Sequence, residues 1–306
     1  MEVFDERVCR LGEGPHYDER ADRVVWVDIL GRAVLWRELG TGGTGSLATG
    51  GHVGAAIPRA GGGLVLCLPA GPVLLDPDGG QRPLGTFADA DLAAGASPAG
   101  GASPAGSAPR AGGGPVVRAN DAKADPAGRL WLGTMAYDET PGAGALYRLD
   151  PGAAAPVRVL AGVTVSNGLG WSPDGRLMYY IDTPTRQIDV FDFDGAAGTL
   201  SGRRRFAAVE PEAGFPDGMC VDAAGGVWVA LWSGGAVRRY APDGSLDRVV
   251  AVGTPLVTSC AFAGLALDRL VVTTARGGQP VDPAAGRTYA HRPGDVAGLP
   301  VDRYAG

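Results

Sequence analysis

Four short stretches of this sequence place an acid or an amide directly before glycine or aspartate. They are Glu13-Gly14 in "GEGPHYD", Asn120-Asp121 in "RANDAKADP", Asn167-Gly168 in "VSNGLGWSP" and Asp217-Gly218 in "FPDGMCVD". Side-chain oxygens of this kind, gathered with excess negative charge, repel one another unless a cation sits among them. Hard oxygen donors suit Ca²⁺, Mg²⁺ or Mn²⁺ better than a sulfur-loving metal. Taken singly, Asn-Gly and Asp-Gly are ordinary turn dipeptides. Register sets these apart: each stands about 9 or 10 residues ahead of a short apolar run, well before the next turn signal.

Those apolar runs are copies of one another. They read "RVVWVDI" from 23, "GLVLCLP" from 63, "RLWLGTM" from 129, "RLMYYID" from 176, "GVWVALW" from 226 and "RLVVTTA" from 269. A turn such as "DPAG", "SPDG" or "DAAG" precedes several of them, and a third strand such as "GALYRLD" or "RQIDVFDFD" follows. Most copies add a weaker fourth strand, for example "PVRVLAG" and "LDRVVAVG". Four strands recurring every 40–50 residues predict an all-β fold, a six-bladed β-propeller with four-stranded blades, built as one domain over residues 1–306. The last copy lacks a convincing fourth strand, and "EVFDERVCR" at the N-terminus has no other partner. The N-terminal strand is therefore expected to close the ring as the outer strand of blade six.

One spacing is long because it contains "AAGASPAGGASPAGSAPRAGGG", residues 93–114. This stretch has too few apolar groups to pack and too much Gly and Pro for a strand. It reads as a flexible surface insertion between blades two and three, and neutral loop expansion is a simpler account of it than a lid. In a propeller the first strand of each blade lines the central channel. The starts of those strands fall at Glu13, His52–Gly54, Asn120, Asn167, Asp217 and Ser259–Cys260, so symmetry gathers them into one small ring. Asp217, which has no base nearby in sequence, finds its partners in other blades.

Composition narrows the remaining options. A net charge of -6 over 306 residues argues against nucleic-acid binding, and the basic run Arg203-Arg204-Arg205 reads as a solvated strand edge. No segment is long and apolar enough to cross a bilayer. The N-terminus has no signal-like apolar core, and Cys9, Cys67, Cys220 and Cys260 form no C-x-x-C pair, so reduced thiols and a cytoplasmic location are expected. Neither a G-x-S-x-G elbow, an H-E-x-x-H zinc motif nor a phosphate-binding P-loop occurs. His16 and His52 fall near the channel, where a packing or surface role is the plainer reading.

Over essentially the whole chain the sequence resembles the family of senescence marker protein, gluconolactonase and luciferin-regenerating enzyme. The resemblance rests on "LGEGPHYD", "RANDAKADPAGRLWLGTM", "VSNGLGWSPDGRLMYYIDT", "FPDGMCVDAAGGVWVALWSGG" and "TSCAFAG". It implies one divalent cation held by Glu13, Asn167 and Asp217. Ca²⁺ is the first choice, with Zn²⁺, Mg²⁺, Mn²⁺ and Fe²⁺ also admissible. It further implies substrate contacts from Arg118, Asn120 and Asp121, and from Asp138 just after "GTMA". The implied reaction is hydrolysis of a small sugar lactone, gluconolactone- or pentonolactone-like, to the aldonic acid. The cation would polarise the carbonyl, and Asp217, with Glu13 second, would assist water attack as general base. A broader esterase or phosphotriesterase-like hydrolase and a non-catalytic calcium-binding propeller are the competing readings. A monomer or weak dimer is expected.

Overall fold

The structure is a computed structural model and describes residues 1–87, 116–277 and 282–306. After β1 (Glu2–Asp5), blade one comprises β2 (Gly12–Asp18), β3 (Arg23–Asp28), β4 (Ala33–Glu38) and β5 (Thr44–Ala48). Blade two comprises β6 (Ala56–Pro58), β7 (Leu64–Leu68), β8 (Gly71–Leu75) and β9 (Gln81–Pro83). Blade three comprises β10 (Val117–Ala124), β11 (Leu130–Ala136), β12 (Gly144–Leu149) and β13 (Val157–Val163). Blade four follows with β14 (Ser166–Trp171), β15 (Leu177–Asp182), β16 (Gln187–Asp194) and β17 (Thr199–Ala208). Blade five has β18 (Phe215–Val221), β19 (Val227–Trp232), β20 (Ala236–Tyr240) and β21 (Leu246–Ala251). Blade six has β22 (Val257–Ala263), β23 (Arg269–Thr274) and β24 (Thr288–His291).

These strands form six four-stranded antiparallel sheets, a six-bladed β-propeller. The sixth sheet runs β1-β24-β23-β22, with Val3 paired to Tyr289, so the N-terminal strand closes the ring as the sequence predicts. Each repeated apolar run is the second strand of its blade. Period-two alternation buries one face of that strand against the preceding blade and the other against the next. Trp26, Trp131 and Trp228, all on second strands, are fully buried. The insertion at 93–114 lies outside the described residues, between β9 and β10 in the chain.

The repeated "DPAG" and "DAAG" turns carry more than a change of direction. Asp125 Oδ1 accepts the backbone N–H groups of Ala127 and Arg129, and its Oδ2 accepts the Trp131 indole at 2.9 Å. Asp222 repeats the arrangement with Ala224, Gly226 and Trp228. Each acid thus ties its turn to the buried tryptophan six residues later. Arg203 and Arg204 pair with Asp189 and Asp192 on the neighbouring strand, which is the solvated edge expected of that basic run. The four cysteines are buried free thiols. Adjacent inner strands bring Cys220 and Cys260, distant in sequence, to an Sγ–Sγ distance of 3.7 Å. Cys9 lies between β1 and β2 rather than inside a strand.

Candidate active site

Glu13, Asn120, Asn167 and Asp217 all lie on inner strands, and each sits at an irregularity of pairing. The register of β2 against β3 shifts between Glu13 and His16, and that of β10 between Ala119 and Ala122. In β14 it shifts between Ser166 and Leu169, and in β18 between Pro216 and Met219. Such bulges re-aim side chains that regular alternation would turn into the sheet face. The acid-glycine and amide-glycine dipeptides therefore sit inside strands and are not turns. Their glycines answer a packing need. A Cβ on Gly168 would stand 2.7 Å from Asp217 O, and one on Gly218 would stand 2.1 Å from Ser259 Oγ. Close approach of the next inner strand is what demands glycine at these points.

The result is a cavity of about 230 Å³ at one mouth of the channel, lined by Glu13, Arg118, Asn120, Asn167 and Asp217. Its volume lies just below the usual range for ligand pockets, about 300–1,000 Å³, which suits a small substrate. Met135, Val165, Phe215 and Trp232 supply apolar wall. A chain of hydrogen bonds links the polar members across blades. Arg118 donates to Asn120 Oδ1 at 2.6 Å, and Asn120 Nδ2 donates to Asn167 Oδ1 at 3.1 Å and to Ser166 O at 2.8 Å. Asn167 Nδ2 donates to Thr183 Oγ1, which in turn donates to Pro216 O, each at 2.8 Å. The amide orientations are thereby fixed by blades three, four and five together.

The two carboxylates have little to satisfy them. Among the described residues Glu13 Oε2 accepts only the N–H of Gly14, at 2.9 Å, and no ion pair reaches Glu13 or Asp217. Burial, reinforced by the Asp121 charge, pushes the Glu13 carboxyl up to about 8. Burial, then Glu13 and Asp121, hold Asp217 well above the usual carboxylate range. Burial also raises Asp121, which Lys123 and the Ala122 N–H hold down. The Arg118 charge lowers both Glu13 and Asp217.

This donor set fits a hard divalent cation. Two buried carboxyls whose affinity for a proton is raised by burial and by neighbouring acids are equally poised to take a cation, and the Asn167 amide oxygen adds a neutral donor. Among the described residues no three His, Cys, Asp or Glu side chains cluster closely enough to hold a metal by themselves.

Two of the residues expected at the site behave differently from the rest. Asp138 is not brought to the cavity. It is exposed, and its carboxylate is taken by the N–H and Oγ1 of Thr140 in the turn that follows β11. Its neighbour Glu139, held at φ +56°, lines the cavity instead. Asp121 lies beneath the mouth and accepts the Ala122 N–H at 2.7 Å, so it acts on the site through its charge. His52, at the ring position of blade two, bonds the Tyr137 hydroxyl at 2.9 Å. The Tyr137 ring centroid lies 6.0 Å from the Arg118 guanidinium carbon, within cation–π range. Sequence reasoning also passed over Thr183 and Trp232. Both stand at or just past the end of a second strand, which opens on the same face as the starts of the inner strands, and that equivalence was the available signal.

A model of the SMP-30/Gluconolactonase/LRE-like region matches residues 11–276. The chain belongs to this family. Among its relatives is a regucalcin from Danio rerio, 34% identical over 305 residues that span 97% of this chain and 95% of that protein. Another is the pentonolactonase XacC of Haloferax volcanii, 35% identical over 270 residues, covering 88% of this chain and 83% of that one. The crystal structure of a calcium-binding regucalcin from Agrobacterium tumefaciens superposes with a TM-score of 0.85 at 27% identity, covering 99% of this chain and 96% of that one. The family thus includes lactone hydrolases and a protein described as binding calcium. Among the described residues no helix is long and apolar enough to cross a membrane.

Proposed function

We propose that this chain hydrolyses a small sugar lactone, gluconolactone- or pentonolactone-like, to the aldonic acid, using one divalent cation held by Glu13, Asn167 and Asp217. The observation that carries the reading is the convergence of two unpaired buried carboxylates and an amide from three blades, joined to Arg118 through Asn120. A plain cation site has no use for that arginine. Ca²⁺ is the ion that an all-oxygen set favours. When bound, the cation would polarise the lactone carbonyl and stabilise the negative charge that develops on its oxygen.

The protein's own groups do the rest. Asp217, the second carboxylate of the cavity, would be ionised with the cation bound and is the group that takes a proton from the attacking water. Water oxygen bonds to the carbonyl carbon, the ring C–O bond breaks, and the proton passes from Asp217 to the departing ring oxygen. Arg118 donates to substrate oxygens and so sets the carbonyl against the ion. Asn120 has both amide atoms committed to neighbours, which makes it the residue that positions Arg118 and Asn167. The apolar wall of Phe215 and Trp232 excludes water from one side of the ring.

The test is to strip the protein with chelator and restore Ca²⁺, Mg²⁺, Mn²⁺, Zn²⁺ and Fe²⁺ separately while following acid release from a panel of aldonolactones, an aryl ester and an organophosphate. Metal-restored turnover confined to lactones is expected. Tight metal binding without turnover on any substrate would replace this reading with a calcium-binding propeller, and turnover favouring the ester or organophosphate would replace it with a broader hydrolase.

A further inference from the structure

The channel has a second cavity at its opposite end, about 250 Å³ in volume. The later residues of the same inner strands build it: His16 of β2, Lys123 of β10, Trp171 of β14 and Phe262 of β22. The segment 299–302 forms its floor and contributes Asp302. That floor is anchored on several blades. Gly298 N–H bonds Leu267 O at 2.7 Å, Ala60 N–H bonds Tyr304 O at 2.8 Å, and Ala305 N–H bonds Gly128 O at 2.9 Å.

Three polar groups face this space with unused capacity. His16 is 5% exposed, and its Nδ1 lies 3.0 Å from Gly14 O. A carbonyl only accepts, so Nδ1 carries the proton and Nε2 is left an acceptor; among the described residues Nε2 has no partner. Burial holds the ring neutral by lowering its pKa to about 4. Lys123 Nζ donates to Met219 O at 2.7 Å, which occupies one of its three protons. Asp302 makes no hydrogen bond or ion pair among the described residues, although Lys123 acts on it electrostatically. An ammonium and a carboxylate thus share one cavity without touching.

The choice of occupant follows from these charges. Lys123 opposes a metal ion, and Asp302 opposes a simple anion. A molecule that carries both charges satisfies both, and an ammonium also supplies the donor that His16 Nε2 needs. Most of the remaining lining, including Pro15, Trp171 and Phe262, is apolar, with Ser172 and Tyr17 as polar exceptions. We propose that this cavity binds a small zwitterion, an α-amino acid with an apolar side chain. Its carboxylate sits on Lys123, its ammonium between Asp302 and His16 Nε2, and its side chain against Trp171 and Phe262. None of these residues lines the lactone cavity, so the second site stands independently of the hydrolytic reading.

Isothermal titration calorimetry on the full chain, metal-loaded and metal-stripped, tests this with glycine, L-valine and L-leucine. Isovalerate and isobutylamine serve as analogues that each carry one charge. Valine or leucine is expected to bind one per chain in both metal states, and each one-charge analogue at least tenfold more weakly. Asp302→Asn, at a partly exposed position, should weaken amino-acid binding at least tenfold while leaving lactone hydrolysis unchanged, and Lys123→Met, if it folds, should weaken that binding by as much. Absence of binding by every amino acid overturns the proposal. Isovalerate binding as tightly as valine, and more tightly after Asp302→Asn, also overturns it in favour of a simple anion site.

Discussion

Two sets of buried acids in this propeller differ in what surrounds them. Asp222 is fully buried, and its two oxygens accept the N–H groups of Ala224 and Gly226, the Trp228 indole at 2.8 Å and the Arg239 guanidinium at 2.7 Å. Asp125 is served in the same way by Ala127, Arg129 and Trp131. Glu13 and Asp217 are nearly as buried, at 8% and 6% exposure, yet face each other with a single backbone donor apiece. Burial alone therefore does not mark a functional acid. A buried carboxylate whose lone pairs are filled holds a turn in place, whereas one left facing another carboxylate is waiting for a ligand.

The contrast is broken most strongly by Asp217→Asn. If Asp217 binds the cation and takes the proton, lactone hydrolysis should fall about ten-thousandfold or more, on the order of 5 kcal/mol in the barrier. The melting temperature of the metal-free protein should not fall, because a repelled buried charge has been removed. Measured turnover within tenfold of wild type would show that Asp217 is neither ligand nor base.

Acidity offers the second test, read on the unfilled set. The Glu13 carboxyl stands at about 8 in the folded protein against about 4.5 when exposed. Between those values the folded state holds a proton that the unfolded chain has released, so stability is greatest below about 4.5 and is lost as pH rises through 8. At about 1.4 kcal/mol per pH unit of displacement, the loss is at most on the order of 4 to 5 kcal/mol. The metal-free protein should melt at lower temperature at pH 8.5 than at pH 5.5. Glu13→Gln should flatten that slope, both by removing its own proton and by relieving Asp217. An unchanged slope in the variant means the two carboxylates are not opposed.

Much of this was legible in the sequence, and the exceptions share a cause. Strand order, blade count and ring closure follow from six apolar runs in register, because a strand's face is fixed by period-two alternation. The same register placed Glu13, Asn167 and Asp217 together. It could not show that Asn120 would spend its amide on Ser166 and Asn167, nor that Thr183 would bridge blades four and five, because side-chain pairing between blades depends on distances that no repeat encodes. The choice of Glu139 over Asp138 turns on one left-handed residue in a short turn, where a single φ reverses which side chain faces inward. The filled acids were missed for a different reason. "DPAG" and "DAAG" read as turns, and nothing in the local pattern announces that their aspartates reach a tryptophan six residues on.

Arg239 allows the smallest effects to be ranked, because it binds a buried and an exposed acid at once. Its Nε donates to Asp222 and its Nη1 to Asp247 at 2.9 Å. Asp222→Ala strands the guanidinium, the Trp228 indole and two turn N–H groups, and should cost about 3 kcal/mol, the lower end for breaking a buried pair. Asp247 lies in water on β21, where solvent replaces the lost partner, so Asp247→Asn should leave the melting temperature near wild type. Activity per folded molecule should be unchanged in both, since neither acid lines the lactone cavity. Thermal melts of the two variants beside wild type decide the matter. Equal destabilisation would mean that the guanidinium, and not the filled carboxylate, holds the turn, and the distinction drawn between the two sets of acids would then rest on Asp125 alone.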